Sequence, residues 1–161
     1  MARLFSKNTT LYLFLSVIVV YIIGLFVDIM DIDAAQYASI SREMLETKSF
    51  LMLKNRGQDY LDKPPLLFWL SSFSFQIFGY HNWSYKLPSF LFALLAIFST
   101  FKLARLYYDE DTSILAALIL ATCQAFFLIT NDCRTDTMLA GSVIFAIAHL
   151  AAYLKTGGVL N

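Results

Sequence analysis

The sequence has little that would stabilise a small secreted domain or attract nucleic acid. It contains only two cysteines, Cys123 and Cys133, and their positions suit neither a disulfide nor a metal-ligand motif. Twelve basic and twelve acidic residues give a formal net charge of zero, so bulk electrostatics indicates no nucleic-acid partner. These absences exclude a disulfide-rich domain and argue against a nucleic-acid-binding one.

Charged residues are absent from several long stretches. No Asp, Glu, Lys or Arg occurs in residues 8–27, 64–85, 112–131 or 137–154, and residues 87–101 form a shorter gap. A helix needs about 20 apolar residues to cross about 30 Å of hydrocarbon, so several of these stretches are long enough. With 58% hydrophobic residues, the chain is also more apolar than one soluble core of this length requires. The sequence therefore predicts an all-α, polytopic membrane protein.

Four spans are expected within a single membrane domain. They lie at about residues 9–27, 87–106, 113–130 and 137–154. The first apolar run is longer than the core of an ordinary signal peptide, so we interpret it as an uncleaved span. Residues 28–86 form the loop between the first two spans, and Ala34–Thr47 within it has the spacing of an amphipathic helix lying in the interface.

The segment 66–80 decides on which side of the membrane the polar loops lie. It is long enough to cross, but it is interrupted by four polar residues: Ser71, Ser72, Ser74 and Gln76. If it crosses, Asp33 and Asp136 face opposite compartments. If it lies along the interface, both acids share the outer face, with Arg3 and Lys7 in the cytoplasm. Its serine and aromatic content favours an interfacial helix.

Three charged residues stand at the margins of the expected spans. Asp33 is at the expected N-cap of the interfacial helix, where a carboxylate is worth about 1 kcal/mol and remains available as a base. Lys63, before two prolines, suits an anionic phosphate but also suits a lysine that snorkels at a helix start. Asp136 would cap a helix beginning at Thr137. Asp31 is interpreted as a solvated interface residue.

Taken together, these blocks resemble a known family. D-x-x-x-Y-A begins at Asp33, DKPPLLFWL covers residues 62–70, KLPS covers residues 86–89, and R-x-D-x-M-L begins at Arg134. Their order and spacing resemble polytopic glycosyltransferases with the C-type fold, in the bacterial branch that includes the lipid A aminoarabinose transferase and is related to protein O-mannosyltransferases. DKPPLLFWL together with KLPS is fairly specific, whereas D-x-x-x-Y alone is not. The resemblance covers nearly the whole chain, from about residue 11 to residue 154.

The resemblance implies an enzyme at the outer face of the bacterial inner membrane. Such enzymes move a sugar, with inversion, from a polyprenyl-phosphate donor to an acceptor hydroxyl on a lipid, a glycan or a protein. It implies Asp33 as the general base and Asp136 as a second catalytic acid. It further implies substrate binding by four residues, with the lysine meeting the lipid phosphate: Tyr37, Asp62, Lys63 and Arg134. The resemblance implies no certain cofactor. It leaves open whether a divalent metal assists the reaction, and the sequence shows no dedicated cluster of metal ligands.

The sequence also departs from the family pattern. Ala34 and Gln36 stand where relatives commonly carry an acid and an arginine, and relatives have many more spans, so we expect this chain to be the N-terminal part of a longer transferase. The alternative is a non-catalytic membrane scaffold or assembly subunit whose polar loops only cap helices. A transporter is a third interpretation, disfavoured because no expected span carries an ionisable residue in its interior.

Overall fold

The computed structural model describes residues 6–29 and 31–157, a range that excludes Arg3. The described chain forms α1 (Lys7–Leu25), α2 (Ile32–Thr47), α3 (Leu66–Phe78), α4 (Asn82–Tyr107), α5 (Glu110–Thr122), α6 (Gln124–Asn131) and α7 (Thr135–Thr156). Between α2 and α3, a short antiparallel hairpin pairs β1 (Lys54–Asn55) with β2 (Gln58–Asp59). Helices therefore account for nearly all of the regular structure in the described ranges.

The long helices match the expected membrane spans. Within the described ranges, α1, α4 and α7 are each long and apolar enough to cross a membrane, and α5 with α6 makes a fourth span if the bent pair counts as one. The prediction of an all-α membrane protein with about four spans is thus confirmed. Helix α4 begins earlier than expected, at Asn82 and not near residue 87, and this brings Lys86 inside a helix that crosses the membrane.

The third expected span is broken. Helices α5 and α6 meet at Cys123 and are bent by 52° relative to one another. Cys123 has an extended backbone, with φ −63° and ψ 116°, so the helical hydrogen-bond ladder stops there. Sharp bends usually occur at proline or glycine, and residues 110–131 contain neither. The sequence therefore predicts one continuous span where the structure has two helices.

The serines of α3 bind neighbouring helices. Ser74 donates to the carbonyl of Ser84 at 2.5 Å, and Ser72 donates to the carbonyl of Ser41 at 2.6 Å. Pro88 lies inside α4 and has no amide proton, so it cannot bond to the Ser84 carbonyl four residues earlier. Ser74 supplies that missing donor. The serines thus lie buried between α2, α3 and α4, and the hydrogen bonds that they make account for their place in an otherwise apolar helix.

The start of α4 lies beside the end of α1, although α2 and α3 come between them in the chain. At 13 residues, α3 is about 20 Å long, too short for about 30 Å of hydrocarbon. The start of α4 contacts the end of α1 directly, because the Lys86 ammonium group donates to the carbonyls of Gly24 and Val27. The end of α1 and the start of α4 therefore lie at one end of the bundle. This arrangement agrees with the interfacial layout of residues 66–80.

Close packing of α7 against α4 fixes the far side of the bundle. Gly141 allows it: a Cβ atom at this position would lie 2.7 Å from the carbonyl oxygen of Phe92. Lys155, near the end of α7, lies over the ring of Tyr107 at the end of α4, 5.2 Å from its centroid. The two helices thus run side by side along their length. Their starts also lie together, because the Sγ of Cys133, just before α7, is 3.7 Å from the Tyr85 carbonyl oxygen near the start of α4. They are therefore parallel neighbours whose starts share the end of the bundle that carries α2.

Candidate functional site

Two acids and one arginine join loops that are far apart in the sequence. Arg134 hydrogen-bonds through Nη2 to the carboxylate of Asp31 and through Nη1 to Oδ2 of Asp33, the latter at 3.3 Å. The planar guanidinium can bind two carboxylates at once because its N–H donors are fixed in a fork. This ion-pair cluster brings the start of α2 to the loop before α7.

Asp31, and not Asp33, caps α2. Its carboxylate accepts a hydrogen bond from the backbone amide of Asp33 at 3.1 Å, and the helix begins at Ile32. The prediction that Asp33 is the N-cap is wrong, and so is the interpretation of Asp31 as a merely solvated residue. With Asp31 at the cap, Asp33 lies in the first helical turn, where its side chain is free to reach Arg134.

One oxygen of Asp33 remains open. The side chain is 51% exposed, and within the described residues only its Oδ2 is engaged in a hydrogen bond. A carboxylate fixed through one oxygen and open at the other can accept a proton from a bound hydroxyl group. The geometry therefore suits a base whose orientation is set by Arg134.

The turn between α6 and α7 directs Arg134 towards α2. Cys133 has a left-handed backbone with φ 51° and a fully buried side chain. The next amide, that of Arg134, donates to the carbonyl of Ile129 at 3.0 Å, which closes the end of α6. Burial opposes the charge of Arg134, but its neighbours Asp31, Asp33 and Asp132 raise the pKa of the guanidinium above its usual value, so it stays a cation. The turn thus presents a permanent positive charge to the acids.

Tyr37 and Tyr60 form an aromatic wall beside Asp33. Tyr37 is buried, with its ring edge-on to Phe68 at 5.7 Å, and Tyr60 packs against the same phenylalanine at 6.0 Å. Burial, followed by the nearby Tyr37 and Asp62 and then Asp33, raises the pKa of Tyr60 to about 12. Tyr60 therefore stays neutral and able to donate a hydrogen bond. Sequence reasoning missed it because an isolated tyrosine in a loop has no motif of its own.

Asp62 and Lys63 lie in the exposed loop that follows Tyr60. Lys63 lines a small cavity of about 180 Å³ together with Tyr60 and Pro65. The hairpin before it is held by Glu43 of α2, whose carboxylate accepts hydrogen bonds from the amides of Arg56 and Gly57 at 2.7 and 2.8 Å. The lysine is thus placed near the tyrosine wall by contacts made to α2.

Asp136 is exposed in the first turn of α7. The helix begins at Thr135 and its N-cap is Arg134, so the prediction that Asp136 caps a helix starting at Thr137 is wrong. A carboxylate in the first turn still faces the positive end of the helix dipole. Since Arg134 lies two residues earlier and contacts Asp33, both acids belong to the same end of the bundle.

The charged residues do not form an evident metal site. Among residues 6–29 and 31–157, no group of three or more His, Cys, Asp or Glu side chains is arranged to hold a metal ion. The cluster described above instead pairs its acids with a guanidinium, which already neutralises part of their charge.

Comparison with known proteins indicates a family. A family model described as dolichyl-phosphate-mannose-protein mannosyltransferase matches residues 62–159, more than half of the chain. The undecaprenyl phosphate-alpha-4-amino-4-deoxy-L-arabinose arabinosyl transferase of Enterobacter sp. (strain 638) is 28% identical over 136 residues, which cover 83% of this chain and 25% of that protein. The enzyme of the same name from Yersinia enterocolitica is 34% identical over 109 residues, 67% of this chain and 20% of that protein.

A solved structure has the same fold. The crystal structure of ArnT from Cupriavidus metallidurans bound to undecaprenyl phosphate matches with a TM-score of 0.84 at 22% identity, covering 91% of this chain and 27% of that one. The chain thus spans about a quarter or less of the length of these curated relatives.

Proposed function

The chain belongs to the dolichyl-phosphate-mannose-protein mannosyltransferase family, and from that membership we propose that the protein containing it transfers a sugar from a polyprenyl-phosphate donor to an acceptor hydroxyl group. The observation that carries the proposal is the half-exposed Asp33 held by Arg134, on the same face as a tyrosine wall and the exposed Lys63. The activity is proposed for the full-length protein, since the relatives are several times longer than this chain.

Asp33 acts as the general base. Its open oxygen takes the proton of the acceptor hydroxyl while Arg134 holds the other oxygen. The hydroxyl oxygen forms a bond to the anomeric carbon from the face opposite the phosphate, which inverts the configuration. The bond between the anomeric carbon and the phosphate oxygen breaks, and its electron pair leaves on the polyprenyl phosphate. A positioned base of this kind contributes about 10²- to 10⁴-fold to the rate.

Lys63 stabilises the leaving phosphate. Its exposed ammonium group is a point charge with three donors, and such a charge favours the negative charge that grows on the leaving group. Tyr60 supplies a neutral hydroxyl group for the sugar, and Tyr37 lines the same wall. Asp62 and Asp136, both exposed, bind hydroxyl or amino groups of the substrates. Arg134 orients the base through two of its five N–H donors, and the remaining donors can bind the substrate.

The protein is an integral membrane protein, and we place the reaction at the outer face of a bacterial inner membrane. The proposed site is the end of the bundle where α3 packs against the start of α4, since Ser71 and Ser74 donate to the carbonyls of Tyr85 and Ser84 there. The acceptor is a lipid, glycan or protein that offers a hydroxyl group.

Replacing Asp33 tests the base directly. We expect Asp33→Asn in the full-length protein to lower the rate of sugar transfer about 100-fold or more, because the amide cannot take a proton. Transfer from a radiolabelled polyprenyl-phosphate sugar in proteoliposomes measures this rate. Asp111→Asn, at the opposite end of the bundle in α5, is the matched control and should keep full transfer.

A second measurement separates chemistry from folding. Asp33→Asn should insert into membranes at the level of the unchanged protein. Normal transfer by the variant would refute the base assignment, and absence of transfer by the unchanged full-length protein with any polyprenyl-phosphate sugar would refute the proposed function.

A further inference from the structure

A buried lysine lies at the start of α4. Lys86 is only 2% exposed, yet no carboxylate pairs with it within the described residues. Its ammonium group donates to the carbonyl oxygens of Gly24 at 3.2 Å and Val27 at 2.7 Å. The ammonium group of Lys86 therefore contacts the last turn of α1 and the segment that follows this helix.

The two carbonyls stand at and just beyond the end of α1: that of Gly24 also accepts a hydrogen bond from the Val27 amide at 3.3 Å, and Val27 follows the last helical residue, Leu25. The last four carbonyls of a helix have no partner within it, and the C-terminal end of the helix carries a partial negative charge. A cation there satisfies both needs, and a buried ammonium group in turn requires acceptors that replace its lost water. Removing Lys86 would leave the end of α1 without that partner inside the bundle.

A second residue at the start of α4, Asn82, contacts Asp28, the residue that follows Val27. The side-chain amide of Asn82 donates to Oδ1 of Asp28 at 2.6 Å. Lys86 and Asn82 lie four residues apart, on one face of α4, so together they hold residues 24–28. These residues lead directly to Asp31 and Asp33.

We propose that Lys86 and Asn82 are positioning residues, which fix the exit of α1 and thereby the place of the Asp33 carboxylate. This inference rests on the proposed function for its catalytic meaning. It also gives a role to the lysine of the KLPS block, which neither caps its own helix nor contacts the ion-pair cluster.

The kinetic test uses Lys86→Met in the full-length protein. Methionine keeps the length and the burial of the side chain but loses its charge and its donors. We expect kcat for transfer to fall about tenfold or more, since small displacements of a catalytic group can cost as much as 100-fold. The KM for the polyprenyl-phosphate sugar should stay within about twofold, because Lys63 binds the phosphate independently.

Lys102→Met is the matched control. Lys102 lies on the same helix but is exposed near its other end, over the ring of Phe98. The same chemical change there should leave kcat and KM as they are. A general effect of charge loss on the helix would lower kcat in both variants and would overturn the proposal.

A reciprocal exchange tests Asn82 without removing a buried group. Asn82→Asp places two carboxylates together and should lower kcat, and adding Asp28→Asn restores a donor and an acceptor with their places exchanged. Recovery of kcat in the double variant supports the proposal, whereas an equal loss in both variants refutes it. This pair also decides the matter if Lys86→Met does not accumulate in membranes.

A distance measurement is independent of transfer. Spin labels on Ala35→Cys and Leu139→Cys, both exposed positions, report the separation of α2 from α7 once exposed Cys123 is replaced by serine. We expect Lys86→Met to shift or broaden this distance and Lys102→Met to preserve it. An unchanged distance, or a shifted distance with unchanged kcat, overturns the inference. A shifted distance in a protein that never transfers sugar leaves the positioning contact standing and refutes only the proposed function.

Discussion

Single hydroxyl groups in this bundle differ in whether their hydrogen bonds are satisfied. The hydroxyl of Tyr85 is buried without a hydrogen-bond partner among the described residues, whereas that of Tyr21 donates to the carbonyl of Ala121 at 3.2 Å. An unsatisfied buried polar group costs about 1–3 kcal/mol, and a typical satisfied hydrogen bond contributes about 1 kcal/mol. The two tyrosines therefore make a matched pair.

We expect Tyr85→Phe to preserve or raise the stability of the protein and Tyr21→Phe to lower it by about 1 kcal/mol. The variants differ from the unchanged protein by one oxygen atom each, so packing changes little. Reversible unfolding in mixed micelles with increasing denaturing detergent measures the difference. A larger loss for Tyr85→Phe than for Tyr21→Phe would contradict the prediction.

Tyr60 should make stability depend on pH in the alkaline range. Its pKa is raised from 10.0 to about 12 in the folded protein, so between these values the unfolded chain releases this proton while the folded one keeps it. The unfolded state then binds fewer protons, and the free energy of unfolding falls as the pH rises from about 10 to about 12. Below pH 10 Tyr60 is protonated in both states, so it does not make the free energy of unfolding depend on pH.

Tyr60→Phe should remove this part of the slope. Phenolate absorbance gives a second measurement, because the difference titration between the unchanged protein and the variant should have its midpoint near pH 12. A midpoint near pH 10 would show that the phenol is not held in the buried position.

The acids show what can be predicted at the level of single residues. The sequence placed Asp33 and Asp136 at the margins of helices, and the structure agrees, but it chose the wrong residue as the cap in both cases. An acid at the cap and an acid in the first turn are both favoured there by the same backbone donors and helix dipole. Arg134 contacts both acids of α2, so what separates their roles is that Asp31 caps the helix whereas the Asp33 side chain is half-exposed.

Among the helices, α3 and α4 depend on each other through Ser74. We expect Ser74→Ala to destabilise the protein by about 1 kcal/mol, because the Ser84 carbonyl loses its donor. In a Pro88→Ala background the alanine amide can serve that carbonyl, so the same serine change should cost less. Unfolding of the four proteins of this cycle, in the same mixed micelles, measures the coupling.

Ser99→Ala is a fitting control for that cycle. The Ser99 hydroxyl is buried on the same helix α4 without a hydrogen-bond partner among the described residues, so its removal should not destabilise. Equal costs of Ser74→Ala with and without Pro88 would show that the serine does not compensate for the proline.

Two features of the helices could not be predicted from the sequence. The serines of α3 indicated an interfacial position through composition alone, whereas their buried bonds to α2 and α4 depend on tertiary packing. The break at Cys123 has no proline or glycine to mark it, so the apolar pattern of residues 113–130 predicts a continuous helix. The number and order of the helices follow from apolar length, which is local information.

For the molecule as a whole, the layout of residues 66–80 decides whether the first and the last polar loops share one face of the membrane. The distribution of charge favours the interfacial layout only weakly, and the serine and aromatic content of the segment favours it more. The contacts between Arg134 and the two acids bring the first loop and the last loop to one end of the bundle, which agrees with that choice. Family membership, expected from DKPPLLFWL and KLPS, is confirmed by the family model, whose match to residues 62–159 includes both blocks.

The pairing of Asp33 with Arg134 also sets an order of events during synthesis. The two residues are separated by 101 positions, so the acids leave the ribosome well before their cation does. Closing so long a stretch of chain costs conformational entropy, and the contact cannot form until α4, α5 and α6 have been inserted. Asp31 and Asp33 therefore lack their cation until the loop before α7 has been made, and the ion-pair cluster is completed only when the last of the described helices follows.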